Sequence, residues 1–291
     1  MISDLKAKTR FWISRNSVAK LKSECLLRPA AAPLRDWRLA MVLNSYPEMR
    51  DLFPIIHEDA ELLVINKPAG LVCHPTKGDE YSSLVSRVRL YLGGHDEQHL
   101  INRLDRETSG IVIVAKNSES ARDLRRIWEN RKVTKEYLAI VHGHPEPRAG
   151  NIDAPLGKDL VSQVAIKDCV VASGAPSSTE YQTLDAFRTG QGPFALLRVK
   201  PLTGRKHQIR IHLAHIGHPI VGDKLYGADE NLYLAFVKGE LSDTDKARLI
   251  LPNHALHAAQ VHFDWRSRHL SFTAPSDSAF LGFLRGHSGH Q

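Results

Sequence analysis

Cysteine is scarce in this sequence of 291 residues, which has only three. Cys25, Cys73 and Cys169 are isolated from one another, and such a set fits neither a disulfide framework nor a thiolate metal site. Long apolar runs are also missing, since no stretch approaches the roughly 20 residues of a membrane-spanning helix. The first residues lack the apolar core of a secretory signal. We therefore expect a protein of the reducing cytoplasm, neither exported nor embedded in a membrane.

Signatures of cofactor and metal binding are missing as well. Neither GxxxxGK[ST] nor GxGxxG, the glycine-rich loops that bind nucleotides, occurs in the sequence. Histidine is abundant, with 16 residues, and four of them crowd one segment: His207, His212, His215 and His218. At about 100° per residue, His207 and His212 would point apart on a helix, and no HExxH pattern pairs the imidazoles. We expect no metal and no cofactor, and assign these histidines to packing, capping or phosphate contacts.

The charge is basic, with 39 Lys and Arg against 32 Asp and Glu, a formal net charge of +7. Such a balance favours a polyanionic partner such as RNA, bound through counterion release. A cluster of cations between Lys6 and Lys22 fits either an RNA-binding arm or a solvated helix face. The hydrophobic content of 42% supports an ordinary globular core.

The segment Asn102–Lys116 reads NRLDRETSGIVIVAK and places one carboxylate between two arginines, just before an apolar run. Asp105 falls where a turn feeds the predicted strand, and burial there requires a cation such as Arg103 or Arg106. A held, ionised carboxylate can act as nucleophile or base. An ordinary turn, in which Asp and Thr side chains bond the local backbone, explains the segment equally well.

The segment Pro201–Gly227 reads PLTGRKHQIRIHLAHIGHPIVGDKLYG. Thr203 is a candidate helix cap, and the apolar residues repeat at helical spacing up to the stop signal Gly217. Arg205, Lys206 and Arg210 fall in the first helical turns, against the helix dipole. They therefore need a compensating anion, either a carboxylate such as Asp105 or a phosphate.

Together these segments resemble the signature motifs of the RluA-type RNA pseudouridine synthases, HRLDxxTSG followed by TGRxHQIRxHLxxxGxPIxGDxxYG. Two further segments agree, VINKPAGLVCHP from Val64 to Pro75 and VTKEYLAIVHG from Val133 to Gly143. The resemblance covers about Asp51 to Pro275. It implies an enzyme that isomerises specific uridines of structured RNA, ribosomal or transfer RNA, to pseudouridine without a cofactor. The target is expected in a hairpin loop or bulge, where unstacking the nucleotide costs least.

The resemblance also assigns roles to individual residues. Asp105 carries the chemistry, by attack on the ribose or by removal of a ribose proton, two routes that the sequence leaves open. Tyr137 stacks on the uracil and is a candidate to take the proton from the rebonded carbon. Arg205 pairs with Asp105, and Arg103 fills the space that the target nucleotide leaves. Further RNA contacts are expected from Arg106, Lys206 and Arg210.

Without the resemblance these residues have plainer explanations. Tyr137 would be a core aromatic on a strand, Arg205 a solvated cation and Arg103 an ion-pair partner. Lys67 is either structural or a phosphate contact and is left unassigned.

The sequence departs from the family pattern in two places. Asn102 stands where the family usually has His, three residues before the aspartate, which puts substrate preference or local packing in question. Residues 1–50 do not match the α-L RNA-binding domain that many relatives carry. We expect a basic, helical extension at 1–50, with two short helices around Pro29–Pro33, and a catalytic domain at 51–291.

Two other classes of function are open. A scaffold that binds RNA without chemistry would be expected to lack Asp105, Tyr137 or Arg205, and all three are present. A hydrolase of nucleosides or glycans needs a second placed acid, for which only Glu107 lies nearby in sequence. No obligate protein partner is evident, and we expect a monomer.

The predicted fold is α+β, with a bent, mixed, mainly antiparallel central sheet flanked by helices and an active cleft across its middle, as in the family. Consecutive strands without intervening helices favour this class over a doubly wound sheet. Strands are predicted at 62–66, 111–115, 135–141, 179–187, 195–200, 256–265 and 269–273. Helices are predicted at 83–92, 118–130, 203–216 and 276–284.

Overall fold

The computed structural model describes residues 52–74, 82–93 and 97–288. These residues belong to one compact unit, Met49–Gln291. The helices and the basic cluster predicted for residues 1–50, and the boundary near Asp51, lie outside the described residues and stay predictions.

The described ranges contain twelve strands and six helices. The strands are β1 Ile55–Glu58, β2 Leu62–Lys67, β3 His99–Leu100, β4 Ser109–Ala115, β5 Val133–His142, β6 Ala149–Asp153, β7 Leu156–Lys158, β8 Asp168–Val170, β9 Ser178–Thr189, β10 Gly192–Pro201, β11 Leu256–Trp265 and β12 Arg268–Thr273. The helices are α1 Leu84–Tyr91, α2 Ser118–Glu129, α3 Gln208–His215, α4 Asn231–Lys238, α5 Asp243–Leu249 and α6 Ser278–Ser288. None of these helices is long and apolar enough to cross a membrane.

Ten strands form one sheet in the order β1-β2-β4-β11-β5-β10-β9-β6, with β3 paired to β4 and β12 to β11. Every pairing is antiparallel except the one between β4 and β11. The predicted α+β class with a mixed, mainly antiparallel sheet is therefore confirmed. Strand β11, late in the chain, lies between β4 and β5 in the middle of this sheet.

Strand β4 is buried along all seven residues because it packs on both faces. Val112 and Val114 contact the cluster that includes Leu84 and Val88 of α1. Alternate residues, such as Ile113, belong to a second cluster that includes side chains of α2, β11 and β12. This alternation is the period-two geometry of a strand covered on both sides, so a continuous apolar run is what the position requires.

A third cluster surrounds β5, β9 and β10 and includes Ile209 and Leu213 of α3 and Phe280 of α6. It anchors α3 beside the centre of the sheet. The segment that enters α3 is therefore held close to the ends of β4 and β5.

Most predicted elements occur at the expected positions, but the helix predicted from Thr203 is wrong at its start. The helix begins at Gln208, with His207 as its N-cap residue at φ 55°. Thr203 instead donates its hydroxyl to Gln208 Oε1 at 2.7 Å and accepts the Ser178 amide at 3.2 Å. Gln208 Oε1 also accepts the Arg205 amide at 3.0 Å. These bonds fold residues 203–207 into a turn, which places Arg205 and Lys206 before the helix.

Candidate active site

The loop between β3 and β4 carries Asp105 and is fixed on two sides. Asn102 Nδ2 donates to the Ile111 carbonyl at 3.0 Å, and its Oδ1 accepts the Ile113 amide at 2.8 Å. On the other side, the Arg106 carbonyl accepts the Gly70 amide at 2.9 Å. Asn102 thus holds the loop to the middle of β4 and has a local structural role.

Lys67 also binds this loop. Its side chain is fully buried, and Nζ donates to the carbonyls of Pro68, Leu71 and Arg106 at 2.8–3.1 Å. Burial lowers the pKa of Lys67 to about 8, against the opposing effects of Cys73 and Asp105. A buried ammonium with three backbone acceptors is structural, and of the two roles left open for Lys67 the phosphate contact is excluded.

Asp105 lies at the end of this loop with its side chain 29% exposed. Its Oδ2 accepts Nη1 of Arg210 at 2.8 Å, and Oδ1 lies 3.8 Å from Nε2 of His207. Burial alone would raise the pKa of Asp105, but Arg210 above all, together with His207 and His254, holds it below the usual value. Asp105 is therefore an ionised carboxylate with one oxygen fixed by a guanidinium.

Arg210, in the first turn of α3, is the cation that pairs with Asp105. Its Nε and Nη2 also donate to the two carboxylate oxygens of Asp223, at 2.6 and 2.9 Å. Asp223 is fully buried and accepts the Leu225 and Tyr226 amides at 2.9 and 3.0 Å. The bidentate contact fixes the guanidinium plane, so that Nη1 is directed at Asp105.

This geometry corrects the predicted pairing of Arg205 with Asp105. Arg205 is exposed at the cleft and donates Nε to the Pro176 carbonyl at 3.4 Å, whereas Asp105 pairs with Arg210. The RNA contact predicted for Arg210 is also contradicted, because its side chain is only 8% exposed and bonds two carboxylates. The sequence predicted a compensating anion, either a carboxylate or a phosphate, for the cations early in the helix; in the structure the buried Arg210 has the carboxylate of Asp105.

His207 is a site residue that sequence reasoning missed. Its Nδ1 lies 2.9 Å from the Tyr226 hydroxyl, which also accepts the Asp168 amide at 3.3 Å. The hydroxyl hydrogen is then free to bond Nδ1, which leaves the ring proton on Nε2, the nitrogen facing Asp105. Burial lowers the pKa of His207 to about 4, against the effect of Asp105. His207 thus presents a neutral N–H donor to the cleft, and no pattern in the sequence distinguishes it from the neighbouring histidines.

Tyr137 lies on β5, in register with Ala258 of β11 and Val199 of β10. It lines the same cleft as Asp105. Burial and, secondly, the charge of Asp105 raise the pKa of Tyr137. The phenol is therefore neutral near pH 7, with its ring available as an apolar wall.

The cleft that these residues line has a volume of about 540 Å³. Asp105 is the one carboxylate among the described residues that line it. Six cations share the lining: Arg103, Arg106, Lys135, Arg205, Lys206 and Arg210. A cleft lined by one carboxylate and six cationic side chains favours an anionic ligand.

The cations predicted to contact RNA differ in whether they already interact with other groups of the protein. Arg103 is exposed and forms no ion pair or hydrogen bond with the described residues. Arg106 donates Nε to the Gly70 carbonyl at 3.2 Å, and its guanidinium lies 5.4 Å from the ring centre of Phe236. Lys206 pairs with Asp168 at 2.8 Å and is half exposed. Of these three, Arg103 keeps its full charge for a ligand.

Glu107, the other acid near Asp105 in sequence, lies outside the cleft lining. Its side chain is 10% exposed and accepts Nζ of buried Lys224 at 2.7 Å. A carboxylate held by a buried ammonium away from the cleft does not provide the second acid of a glycoside hydrolase.

The histidines of the crowded segment have separate partners. His212 bonds Thr179 Oγ1 at 2.8 Å and the Ala154 carbonyl at 2.9 Å, while His218 bonds the His142 carbonyl at 2.9 Å. Within the described part of the chain, no three His, Cys, Asp or Glu side chains are grouped so that they could hold a metal ion.

Comparison with known families decides what this cleft belongs to. The family model described as RNA pseudouridylate synthase matches residues 61–215, more than half of the chain. The chain belongs to this family. The RluA-type resemblance is thereby confirmed, and membership of the RNA pseudouridylate synthases assigns to the chain the conversion of uridine in RNA to pseudouridine.

Curated relatives within the family agree with this assignment. The chain is 34% identical over 233 residues to an uncharacterised RNA pseudouridine synthase of Aquifex aeolicus, covering 74% of this chain and 72% of that protein. It is 31% identical to the dual-specificity RNA pseudouridine synthase RluA of Escherichia coli, covering 80% and 98%. An uncharacterised RNA pseudouridine synthase of Chloroflexus aurantiacus is 42% identical over 167 residues, which span 56% of this chain and 51% of that protein.

Solved structures of pseudouridylate synthases are similar in fold. Human RNA pseudouridylate synthase domain containing 4 superposes with a TM-score of 0.62 and 28% identity, covering 85% of this chain and 95% of that one. Human RNA pseudouridylate synthase domain containing 1 gives the same TM-score at 26% identity, covering 80% and 86%.

Proposed function

We propose that this protein isomerises specific uridines in ribosomal or transfer RNA, with Asp105 as the catalytic carboxylate. The observation that carries the proposal is that Asp105, an ionised carboxylate held by Arg210, is the one acid among the described residues of a cleft lined otherwise by cations and neutral groups. Isomerisation returns the same base to the same sugar. It therefore needs one such group and no second acid.

In this reaction the N1–C1′ bond of uridine breaks and uracil leaves with the bonding electrons. The base turns, C5 bonds to C1′, the C5 proton is lost and N1 gains a proton, so that atoms balance without water. Asp105 either attacks C1′ or removes a ribose proton; its ionised state serves both routes. Arg210 is a positioning residue that keeps Asp105 charged and directed.

Tyr137 and Arg103 have roles in holding the extruded nucleotide. The ring of Tyr137 offers a surface on which the uracil can stack while it turns. A direct base role would require its phenolate, which the raised pKa of Tyr137 opposes. Arg103, exposed at the cleft and without an ion pair among the described residues, can enter the space left in the RNA, since extrusion leaves a gap in the stack.

The competing functions are less well supported. Hydrolysis lacks a second acid among the described residues of the cleft, and Glu107 is neutralised by Lys224. A scaffold without chemistry has no use for a carboxylate kept ionised by Arg210 and faced by the His207 N–H. Residues 51–291 would form the catalytic domain and 1–50 a basic extension. We further propose a cytoplasmic monomer that acts without cofactor or obligate protein partner.

The test is a pseudouridine map of total RNA from cells that lack the protein, complemented with wild type, Asp105→Asn or Asp264→Asn. Asp264 is an exposed carboxylate on β11 that pairs with His269, so the control makes the same isosteric change outside the cleft. We expect wild type and Asp264→Asn to restore the lost sites, and Asp105→Asn to restore none. Restoration by Asp105→Asn would refute its catalytic role, and a map unchanged by loss of the protein would refute the proposed reaction in cells.

A further inference from the structure

Helix α2 and the residues that follow it carry a group of exposed cations, here termed the α2 surface. Its members are Arg122, Arg125, Arg126, Arg131 and Lys132, all exposed. On the opposite side of the helix, Ala121 and Leu124 are fully buried in the core. Because residues three and four apart share a helix face, Arg122, Arg125 and Arg126 project together into solvent.

These charges have no compensating anions among the described residues. None of the five cations lies within 4.0 Å of a carboxylate in the described ranges, although Glu129 lies on the same helix face. The other acids of α2 are engaged elsewhere, since Asp123 and Glu119 pair with Arg266 at 3.0 and 2.8 Å. The α2 surface is therefore positively charged as a whole.

The groups beside this surface respond to its charge. Burial and then Arg125 lower the pKa of His99, although Glu97 opposes the shift. Burial and then Arg131 lower the pKa of Lys135. Repulsion among neighbouring cations is unfavourable in the free protein and is relieved when an anion binds.

The α2 surface is continuous with the cleft. Trp128 of α2 and Lys135 of β5 both line the cleft, and Trp128 is held edge-on against Phe263 at 5.1 Å between ring centres. The Lys135 ammonium nitrogen lies 3.9 Å from the position that a Cβ would occupy at Gly204, in the turn before α3. A strand leaving the cleft past Trp128 would meet the cations of α2 next.

We propose that the α2 surface binds the phosphate backbone of the RNA strand that flanks the target uridine. The inference rests on the proposed function, because it takes RNA as the ligand of the cleft. Exposed lysines and arginines bind phosphates by releasing counterions, so each contact contributes affinity that declines with salt. Stabilisation of the helix dipole by cations near the C-terminal end of α2 would not account for Arg122 in its first half.

The test compares two triple variants with the same change in charge. One is Arg122→Gln with Arg125→Gln and Lys132→Gln; the control is Arg188→Gln with Lys238→Gln and Arg285→Gln, exposed cations that do not line the cleft. The probe is a fluorescein-labelled RNA hairpin with uridines in its loop. Its Kd is measured by anisotropy between about 50 and 200 mM NaCl.

We expect the α2 variant to reduce the slope of log Kd against log salt by about 2, or roughly 0.7 for each lost contact. Its Kd should rise about tenfold or more at low salt, while the control stays at the wild-type slope. The α2 variant should form pseudouridine at the wild-type rate when total RNA from cells lacking the protein is supplied at a saturating concentration. Equal slopes for the two variants would overturn the proposal.

Circular dichroism checks that both triple variants fold. If the α2 triple variant does not fold, the single variants Arg125→Gln and Arg122→Gln replace it, and each is expected to reduce the slope by about 0.7. The wild-type enzyme separates this inference from the function on which it rests. Hairpin binding that depends on the α2 surface, without any pseudouridine formed by wild type, would refute the proposed function and leave the surface standing as an RNA-binding site.

Discussion

Arg210 pairs with two carboxylates from different parts of the chain through one guanidinium. Asp223 takes two of its N–H groups and Asp105 a third. The direction of Asp105 is therefore set partly by a buried residue that does not line the cleft. Asp223 lies within the GDKLYG stretch of the second motif, and the motif spacing was the signal that could have identified it.

The pair Arg210→Gln and Arg205→Gln distinguishes the two arginines. Arg210→Gln leaves Asp223 buried without its cation, so we expect the free energy of unfolding to fall by about 3–5 kcal/mol in urea titrations. In the wild-type protein Arg210 lowers the pKa of Asp105. Removal of the guanidinium therefore raises the pKa of Asp105, and as the pH falls the variant loses activity at a higher pH than wild type does.

Arg205→Gln should change the free energy of unfolding by about 0.5 kcal/mol at most, because Arg205 is exposed. The acid limb of its pH–rate profile should coincide with that of wild type. If Arg205→Gln moved the acid limb and Arg210→Gln did not, Arg205 would be the partner of Asp105, as first expected from the sequence.

The family resemblance assigned Arg205 as the partner of Asp105, whereas in the structure Asp105 pairs with Arg210. A helix predicted from Thr203 places Arg205 on its first turn, whereas the helix begins at Gln208. The shift depends on three contacts of the Gln208 side chain with Thr203, Arg205 and Ser178. The spacing of apolar residues in the sequence does not predict such a turn.

At the scale of elements, the parallel pairing of β4 with β11 depends on a glycine. Gly110 has φ +110°, and a Cβ there would lie 2.3 Å from the carbonyl oxygen of Ala258. That contact is with backbone, which cannot rotate away. The residue after the Thr-Ser pair of the first motif must therefore be glycine for β11 to approach.

Gly110→Ala should reduce the free energy of unfolding by at least about 2 kcal/mol, because both the backbone conformation and the approach of β11 are lost. Gly282→Ala is the matched control: it lies within α6, where a Cβ meets no atom within 4 Å. We expect that control to leave stability unchanged or to increase it by up to about 1 kcal/mol. Chemical denaturation of both variants measures the difference, and equal stabilities would contradict the account of Gly110.

Long elements with strong patterns were predictable, and short ones were not. The all-apolar run of β4 and the amphipathic α2 were expected at nearly their observed bounds. The three-residue strands β7 and β8, which pair only with each other, were missed. Three residues are too few for an alternation of apolar and polar side chains to distinguish a strand from a loop.

At the scale of the whole molecule, buried histidines are distributed across the fold. Burial lowers the pKa of His207 to about 4 and of His254 to about 3, and it lowers the pKa values of His142, His212 and His257. The unfolded chain binds protons at these positions near pH 6.5, before the folded protein does. Protonation therefore favours unfolding as the pH falls below about 6.5.

We expect the free energy of unfolding to be lower at pH 5 than at pH 7 in urea titrations. His254→Gln, which removes a fully buried imidazole, should reduce the difference between the two pH values. His215→Gln should leave it unchanged, because that side chain is exposed and has no carboxylate within 4.0 Å among the described residues. A free energy that is flat or rising between pH 7 and pH 5 would contradict this explanation. Carboxylates with lowered pKa contribute at more acidic pH, below about 4.

The order of strands in the sheet was beyond sequence reasoning. Neighbours such as β9 and β10 follow one another along the chain, but the insertion of β11 between β4 and β5 joins residues separated by more than a hundred positions. The α+β class followed from the succession of strands, while this insertion has no local pattern that predicts it.

The central position of β11 has a consequence for synthesis on the ribosome. Asp105 precedes β4 and Tyr137 lies on β5, and in the sheet these two strands are bridged by β11, which ends at Trp265. A nascent chain released up to α3 already carries nearly all of the described residues of the cleft, yet it lacks the strand that lies between β4 and β5 in the sheet. We therefore expect the cleft to form only after the chain has emerged up to the end of β11, so that RNA near the translating ribosome is not modified before then.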